Sequence, residues 1–108
     1  MNITQHPAIE AYFAHESATD VDTLSTVFAH DAVVKDEGET IVGLDAIAAW
    51  RTAARKKYQY TVEPLDSQED DQRSVVRVRL AGNFPGSPAG VNFTFRVRDA
   101  KVAALEIG

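Results

Sequence analysis

The spacing of apolar residues changes at Tyr58, and this change constrains the fold more than any other feature of the chain. Before Tyr58, apolar side chains mostly recur every three or four residues, as along the buried stripe of a helix. After Tyr58, apolar and polar residues alternate, which is typical of strands with one buried face. The sequence therefore predicts an α+β fold in which helices pack on one face of a sheet.

The first half of the chain carries signals for three helices. Pro7 suits the first turn of a helix, which Thr4 or His6 can cap, and Asp20 is a good N-cap for a second helix. These signals and the apolar spacing predict helices over about residues 7–18, 20–29 and 44–57. The apolar stripes predict a core that includes Ile9, Phe13, Leu24, Val27, Phe28, Ile47 and Trp50.

The third predicted helix has its basic residues in its last two turns, where the helix dipole favours positive charge. These residues are Arg51, Arg55, Lys56 and Lys57. We expect a solvent-exposed helix end that matches the dipole, in preference to an anion-binding site.

Six strands are predicted, two before the third helix and four after it. Short polar turns, Asp70-Asp71-Gln72 and Asp99-Ala100, and a wider loop over 83–90 join the later strands, which favours an antiparallel arrangement. The order is therefore α-α-β-β-α-β-β-β-β in a single domain over residues 1–108. The strands are expected near residues 32–34, 40–42, 58–63, 74–80, 91–97 and 102–107.

An acidic loop separates the first two predicted strands. Asp36, Glu37 and Glu39 follow a β-branched stretch and precede a second short strand that ends at Gly43. A carboxylate cluster held between two strands is the place where we expect any chemistry of this chain. Without a second group of ligands nearby, the cluster makes a poor metal site, so neither a metal nor another cofactor is predicted.

Composition argues against several classes of protein. The formal net charge of −5 argues against a nucleic-acid partner, and the lack of cysteine excludes disulfides, thiolate metal sites and a cysteine nucleophile. No stretch has the basic start and apolar run of a leader, or the roughly 18 apolar residues of a membrane span. A cytoplasmic protein with no membrane partner is the default interpretation.

The stretch FAHDAVVKDEGETIVGLDAIAAW, over residues 28–50, together with the order of elements, resembles the SnoaL-like branch of the nuclear transport factor 2-like superfamily. That branch is related to ketosteroid isomerases and polyketide cyclases. The resemblance implies a cone-shaped, curved antiparallel or mixed sheet wrapped on three N-terminal helices, with a pocket in the hollow. Because this fold hosts both enzymes and binding proteins, it does not choose a function.

Two residues match the isomerase-type site in this resemblance. Tyr12 falls where those enzymes carry a tyrosine that hydrogen-bonds the substrate carbonyl, and Asp36 falls where they carry the proton-transferring aspartate. A further aspartic acid should fall near Phe93 or Thr94, and neither is an acid. The alternatives are that Tyr12 is a core residue of its helix and that Asp36 is an exposed turn residue.

The aromatic residues are core residues by default, and the implied fold places some of them on the pocket wall. His15 follows Tyr12 by three residues and either reaches the pocket rim or lies on the surface. The pocket-lining candidates are Phe28, Trp50, Tyr58, Tyr60, Phe84, Phe93, Phe95 and His15.

Two functions remain open from the sequence. The first is a cofactor-independent isomerase or cyclase that acts beside the carbonyl of a small hydrophobic substrate, with Asp36 as base and Tyr12 as donor. The second is a non-catalytic module for ligand binding or dimerisation. A homodimer through the outer face of the sheet is expected, with Val75, Thr94, Arg96 and Arg98 on that face.

Overall fold

The computed structural model describes residues 6–70 and 73–108. Its three helices and six strands follow the predicted order, which is therefore confirmed. The helices are α1 (Pro7–Ala14), α2 (Val21–Val27) and α3 (Leu44–Tyr58). The strands are β1 (Phe28–Asp36), β2 (Glu39–Val42), β3 (Thr61–Glu69), β4 (Ser74–Ala81), β5 (Ala89–Arg98) and β6 (Lys101–Ile107).

Side-chain caps fix the starts of the first two helices. The imidazole of His6 accepts a hydrogen bond from the backbone N–H of Ala8, and the Asp20 carboxylate accepts one from that of Thr23. Of the two cap candidates for α1, the structure therefore uses His6, and Thr4 lies outside the described residues. The predicted turn residues Asp71 and Gln72 also lie outside them.

Both of these helices end earlier than predicted. Helix α1 stops at Ala14, because the chain turns over the next residues so that the carbonyls of His15 and Ala18 face inward and accept hydrogen bonds from Arg51. Helix α2 stops at Val27, because Phe28 is already extended (φ −102°, ψ 146°) and pairs with Val102 in the sheet.

Tyr58 belongs to α3 and not to a strand, so the expected start of β3 was wrong. Gln59 adopts a left-handed conformation (φ 48°, ψ 51°) that ends the helix, and β3 begins only at Thr61. The carbonyl of Tyr58 accepts a hydrogen bond from the N–H of Asn83 at 2.6 Å, which fastens the helix end to the loop after β4.

The sheet is mixed, with strand order β2-β1-β6-β5-β4-β3. The meander from β3 to β6 is antiparallel as expected, and β1 and β2 form an antiparallel hairpin. The one parallel pair is β1 with β6, since β6 returns along the free edge of β1 in the same direction.

The helices pack on one face of the sheet and cover the core. The core contains Ile9, Leu24, Val27, Phe28 and Ile47 as predicted, whereas Phe13 and Trp50 are only partly buried.

The opposite face of the sheet carries alternating polar residues that pair across strands. Arg77 of β4 forms an ion pair with Asp66 of β3, and Arg98 of β5 forms one with Asp31 of β1. Both arginines therefore have acidic partners within their own chain.

Candidate functional site

A cavity of about 540 Å³ opens between the helices and the inward face of the sheet. Helices α1 and α3 form one side, and β3, β4, β5 and the loop after β4 form the other. Aromatic and aliphatic side chains dominate its wall, with carboxylates at a few places. The wall consists of Tyr12, Glu16, Asp36, Glu37, Trp50, Ala54, Tyr58, Tyr60, Val62, Leu80, Phe84, Pro85, Ala89, Val91, Phe93, Ile107 and Gly108.

Asp36 ends β1 and reaches the cavity from the β1–β2 hairpin. It pairs with Glu39 across that hairpin, and the two turn residues Glu37 and Gly38 both have positive φ, a conformation that suits glycine in a two-residue turn. The Asp36 side chain is half-buried and accepts a hydrogen bond from Trp50 Nε1 at 3.0 Å. The alternative of a fully exposed turn residue therefore does not describe this side chain.

Burial raises the pKa of the Asp36 carboxyl above its ordinary value, because a charged group is poorly solvated there. The negative charges of Glu37 and Glu39 raise this pKa further, while the hydrogen bond from Trp50 lowers it. A carboxylate whose pKa is raised in this way is a stronger base than an exposed one.

Tyr12 lies on α1 and is only 4% exposed, yet it contributes to the cavity wall. Its ring packs edge-on against those of Phe28 and Phe95, with centroids 5.8 Å and 5.1 Å away. Burial raises the pKa of Tyr12 to about 12, and the charge of Arg51 is the largest opposing influence. The phenol is therefore protonated at neutral pH and can donate a hydrogen bond. Tyr12 is thus both a core residue and a wall residue.

Two carboxylates of the wall, Glu16 and Glu37, form polar pairs that the sequence did not predict. Arg55 forms a 3.0 Å ion pair with Glu16, and the Tyr58 hydroxyl donates a hydrogen bond to Glu37 at 3.2 Å. Glu16 follows the end of α1, so the helical spacing does not place it; its carboxylate is held by Arg55 of α3, 39 residues away in the sequence.

Five of the predicted pocket-lining residues lie on the wall, namely Trp50, Tyr58, Tyr60, Phe84 and Phe93. The other three predicted residues are not on this wall. Phe28 and Phe95 are fully buried in the core between the helices and the sheet. The His15 side chain is exposed, because α1 has ended and the backbone carbonyl of this residue is turned inward to Arg51.

Arg51 departs furthest from its predicted place, which was an exposed helix end. It is 1% exposed and lies beneath Tyr12, with its guanidinium carbon 5.2 Å from the centre of the Tyr12 ring. Arg55 is partly buried over Tyr60, while Lys56 and Lys57 are exposed as expected. The helix dipole therefore accounts only for the basic residues of the last turn.

Across residues 6–70 and 73–108, no three histidine, aspartate or glutamate side chains are arranged to hold a metal ion. In the same part of the chain, none of the helices is long and apolar enough to span a membrane.

The model of the SnoaL-like domain matches residues 9–105. The chain belongs to the SnoaL-like family. This confirms the resemblance that residues 28–50 indicated. No curated protein matches this SnoaL-like chain.

Solved structures show the same fold. A proposed polyketide cyclase from Sinorhizobium meliloti is 42% identical, covers 94% of this SnoaL-like chain and 93% of its own, and superposes with a TM-score of 0.87. A protein from Catenulispora acidiphila with a ketosteroid isomerase-like fold, in complex with trimethylamine, is 19% identical with a TM-score of 0.79 and coverages of 97% and 86%. A proposed isomerase of the SnoaL-like family from Agrobacterium tumefaciens is 17% identical, with a TM-score of 0.75 and coverages of 93% and 92%. The predicted α+β fold class is confirmed.

Proposed function

We propose that this SnoaL-like chain is a cofactor-independent enzyme of the isomerase or cyclase type. It moves a proton at the carbon next to a carbonyl group, with Asp36 as the base and Tyr12 as the donor to the carbonyl oxygen. The observation that carries this proposal is that a half-buried carboxylate and a protonated phenol share the wall of one cavity.

The surroundings of Asp36 suit a base. The hydrogen bond from Trp50 holds Oδ2 in place, and a carboxylate has further lone pairs with which to accept a substrate proton. Desolvation and the charges of Glu37 and Glu39 raise its pKa and so strengthen the base. In ketosteroid isomerase the base is likewise an aspartate, with an only modestly raised pKa, so the similarity in fold supports the mechanism by analogy.

The surroundings of Tyr12 suit a donor. Removal of the proton from the substrate leaves negative charge on the carbonyl oxygen, and a fixed donor stabilises that charge most effectively where water is excluded. The rings of Phe28 and Phe95 hold the Tyr12 side chain in place, so little reorganisation is needed when the charge develops.

The wall indicates the class of substrate. Among the described residues, the wall contains no lysine, arginine or histidine, and its faces are mostly aromatic or aliphatic. A small, hydrophobic carbonyl compound without a negative charge fits these properties. The 42% identity to a proposed polyketide cyclase supports a carbonyl-rich substrate.

One observation favours the alternative of ligand binding without catalysis. The position expected to carry a further acid has Phe93, a wall residue, followed by Thr94 on the opposite face of β5. If the donor set is too weak for turnover, the same cavity still captures hydrophobic carbonyl compounds.

Two measurements distinguish catalysis from ligand binding alone. The first is turnover of a cyclic enone and of a ketosteroid, and the second is exchange, in deuterated water, of the substrate protons next to the carbonyl for deuterium. We expect measurable isomerisation or exchange in the wild type, loss of at least about 100-fold in Asp36→Asn and a smaller loss in Tyr12→Phe. Asp45→Asn, the same chemical change at an exposed position of α3, serves as the control. Binding of these compounds without exchange would establish the non-catalytic alternative.

We also propose a homodimer through the outer face of the sheet. Val75 of β4 lies beside Thr94 of β5 on that face, and both are only partly exposed. Arg96 is exposed nearby and can contact an acidic group of a second copy.

A further inference from the structure

The buried guanidinium of Arg51 needs an explanation beyond helix stability. A charged side chain taken out of water loses favourable hydration, which only good partners recover. Arg51 is 1% exposed, whereas its neighbours Lys56 and Lys57 on the same helix are exposed. Its position on α3 therefore places a positive charge inside the molecule at a cost.

Part of that cost is offset by a structural anchor. The Nη1 atom of Arg51 donates hydrogen bonds to the carbonyl oxygens of His15 and Ala18, at 3.1 Å and 3.0 Å. These carbonyls belong to the segment between α1 and α2, so Arg51 ties that segment to α3. A neutral amide donor could serve one of the two carbonyls equally well.

The rest of the guanidinium is directed to the aromatic cluster of the site. Its carbon lies 5.2 Å from the Tyr12 ring centre and 5.9 Å from that of Phe28. Among the described residues, its Nε and Nη2 atoms have no hydrogen-bond partner. A purely structural anchor would not require two buried nitrogen atoms without a hydrogen-bond partner and a full positive charge beneath Tyr12.

We propose that Arg51 is a positioning residue whose charge strengthens the Tyr12 phenol as a hydrogen-bond donor, in place of the acid that is missing near Phe93 and Thr94. This inference rests on the proposed function, since it concerns the donor of that reaction. Arg51 is not on the cavity wall and acts on the substrate only through Tyr12.

The other groups around Tyr12 act against a strong donor. Burial raises the pKa of the phenol, and Tyr60 and the negative charge of Glu16 raise it further. The charge of Arg51 lowers this pKa, and a more acidic phenol donates a stronger hydrogen bond to a developing oxyanion.

The test measures the ionisation of Tyr12 directly, without reference to turnover. Tyr12 becomes the sole tyrosine in a Tyr58→Phe, Tyr60→Phe background, since the chain contains three tyrosines. Biosynthetic fluorotyrosine, whose phenol is more acidic than that of tyrosine, brings the titration into a mild pH range, and fluorine NMR follows it. Two replacements are compared in this background. Arg51→Gln keeps an amide donor without the charge, and Arg51→Lys keeps the charge without the guanidinium fork.

We expect the titration midpoint of the Tyr12 phenol in Arg51→Gln to lie about one pH unit above its midpoint in the same background with native Arg51. This shift is a tenfold change in the acid constant. Arg51→Lys should lie closer to the parent. An unchanged midpoint in Arg51→Gln, or equal shifts in Arg51→Gln and Arg51→Lys, would show that the charge of Arg51 does not act on Tyr12. Arg51 would then be a structural anchor only, and the proposal would be overturned.

A second measurement covers variants that do not fold. In the chain with native Arg51, the nitrogen NMR signal of its Nε should shift with the same midpoint as the Tyr12 fluorine signal. This transition should vanish in Tyr12→Phe. No shared midpoint would overturn the proposal without any change at position 51.

Turnover then distinguishes the two hypotheses. In Arg51→Gln, kcat should fall measurably with little change in KM, and by less than the tenfold loss of acidity, because the phenol donates a hydrogen bond without transferring its proton; Arg51→Lys should restore part of it. If the single-tyrosine proteins titrate as expected but the wild type shows no turnover, the proposed function is refuted and the effect of Arg51 on Tyr12 still holds. Wild-type turnover that is unaffected in Arg51→Gln refutes the role of Arg51 alone.

Discussion

Trp50 Nε1 donates a hydrogen bond to Asp36 Oδ2 at 3.0 Å and so joins the middle of α3 to the end of β1. This bond stabilises the charged form of the carboxyl and opposes the effect of burial on its pKa. The bond therefore limits how far burial raises the basicity of Asp36.

Trp50→Phe should raise the pKa of Asp36 further, because it removes the donor and retains an aromatic ring. Carbon NMR of the labelled aspartate carboxyl measures this pKa directly. In a pH–rate profile, the acidic limb should move to higher pH by the same amount. Tyr58→Phe removes a donor to Glu37, another carboxylate of the wall, and should leave the pKa of Asp36 nearly unchanged. A lower pKa in Trp50→Phe would show that the indole does not stabilise the carboxylate.

Asp36→Asn should stabilise the fold at neutral pH. The folded state binds the Asp36 proton more tightly than the unfolded state, so this group's contribution to stability is fully present below its ordinary pKa. That contribution is lost as the pH rises through the raised folded value. Asp36→Asn should therefore increase the free energy of unfolding at pH 7, and this gain should shrink as the pH falls towards 3. Denaturant unfolding of both proteins across this range measures it, and a gain that is independent of pH would contradict the assignment.

Gly82→Ala should destabilise the fold by about 1–3 kcal/mol and weaken ligand binding. A Cβ at this position would lie 2.7 Å from the carbonyl oxygen of Tyr58 and 2.8 Å from the Cα of Tyr60, so both wall residues must shift. Gly90→Ala is the matched control, since a Cβ there meets nothing within 4 Å, and it should be neutral or stabilising. Chemical denaturation and titration with a hydrophobic ketone report the two effects. Equal stability of the two variants would mean that the α3–β3 connection can move away from Gly82.

Ala100→Gly should stabilise the protein by about 0.5–1 kcal/mol. Asp99 and Ala100 form the two-residue turn between β5 and β6 with φ of 53° and 64°, where alanine is strained and glycine is not. Thermal unfolding of the variant measures the gain. Ala49→Gly, at an exposed position within α3, should give a loss of about 1 kcal/mol instead. A loss in both variants would show that the turn is not strained by alanine.

Val75→Asp should convert the proposed dimer into a monomer without loss of the fold, because it places a charge in the contact. Light scattering at micromolar concentration measures the mass, and circular dichroism checks the secondary structure. Thr52→Asp, on the exposed side of α3, is the control and should remain dimeric. A monomeric wild-type protein would refute the dimer itself.

The fold could be predicted from the sequence because its signals are local. Alternation along β4 and β5, the Asp20 cap and the apolar stripe of α3 each depend on residues a few positions apart. Arg51 could not be placed in this way, since its burial depends on the carbonyls of His15 and Ala18, more than thirty residues away. For the same reason, the sequence could not show that Phe93 lies on the cavity wall while Phe28 and Phe95 lie in the core. How far each ring is from the cavity depends on how the helices lie on the sheet.

The placement of β6 between β1 and β5 has a consequence for how the chain assembles during synthesis. The β1–β2 hairpin joins the rest of the sheet only through β6, and Phe28 pairs with Val102. A nascent chain that has emerged only as far as the β5–β6 turn therefore has two separate pieces of sheet with unpaired edges between them. We expect cooperative folding to wait for residues 101–107, and the long sequence separation of this pairing to make its formation a slow step.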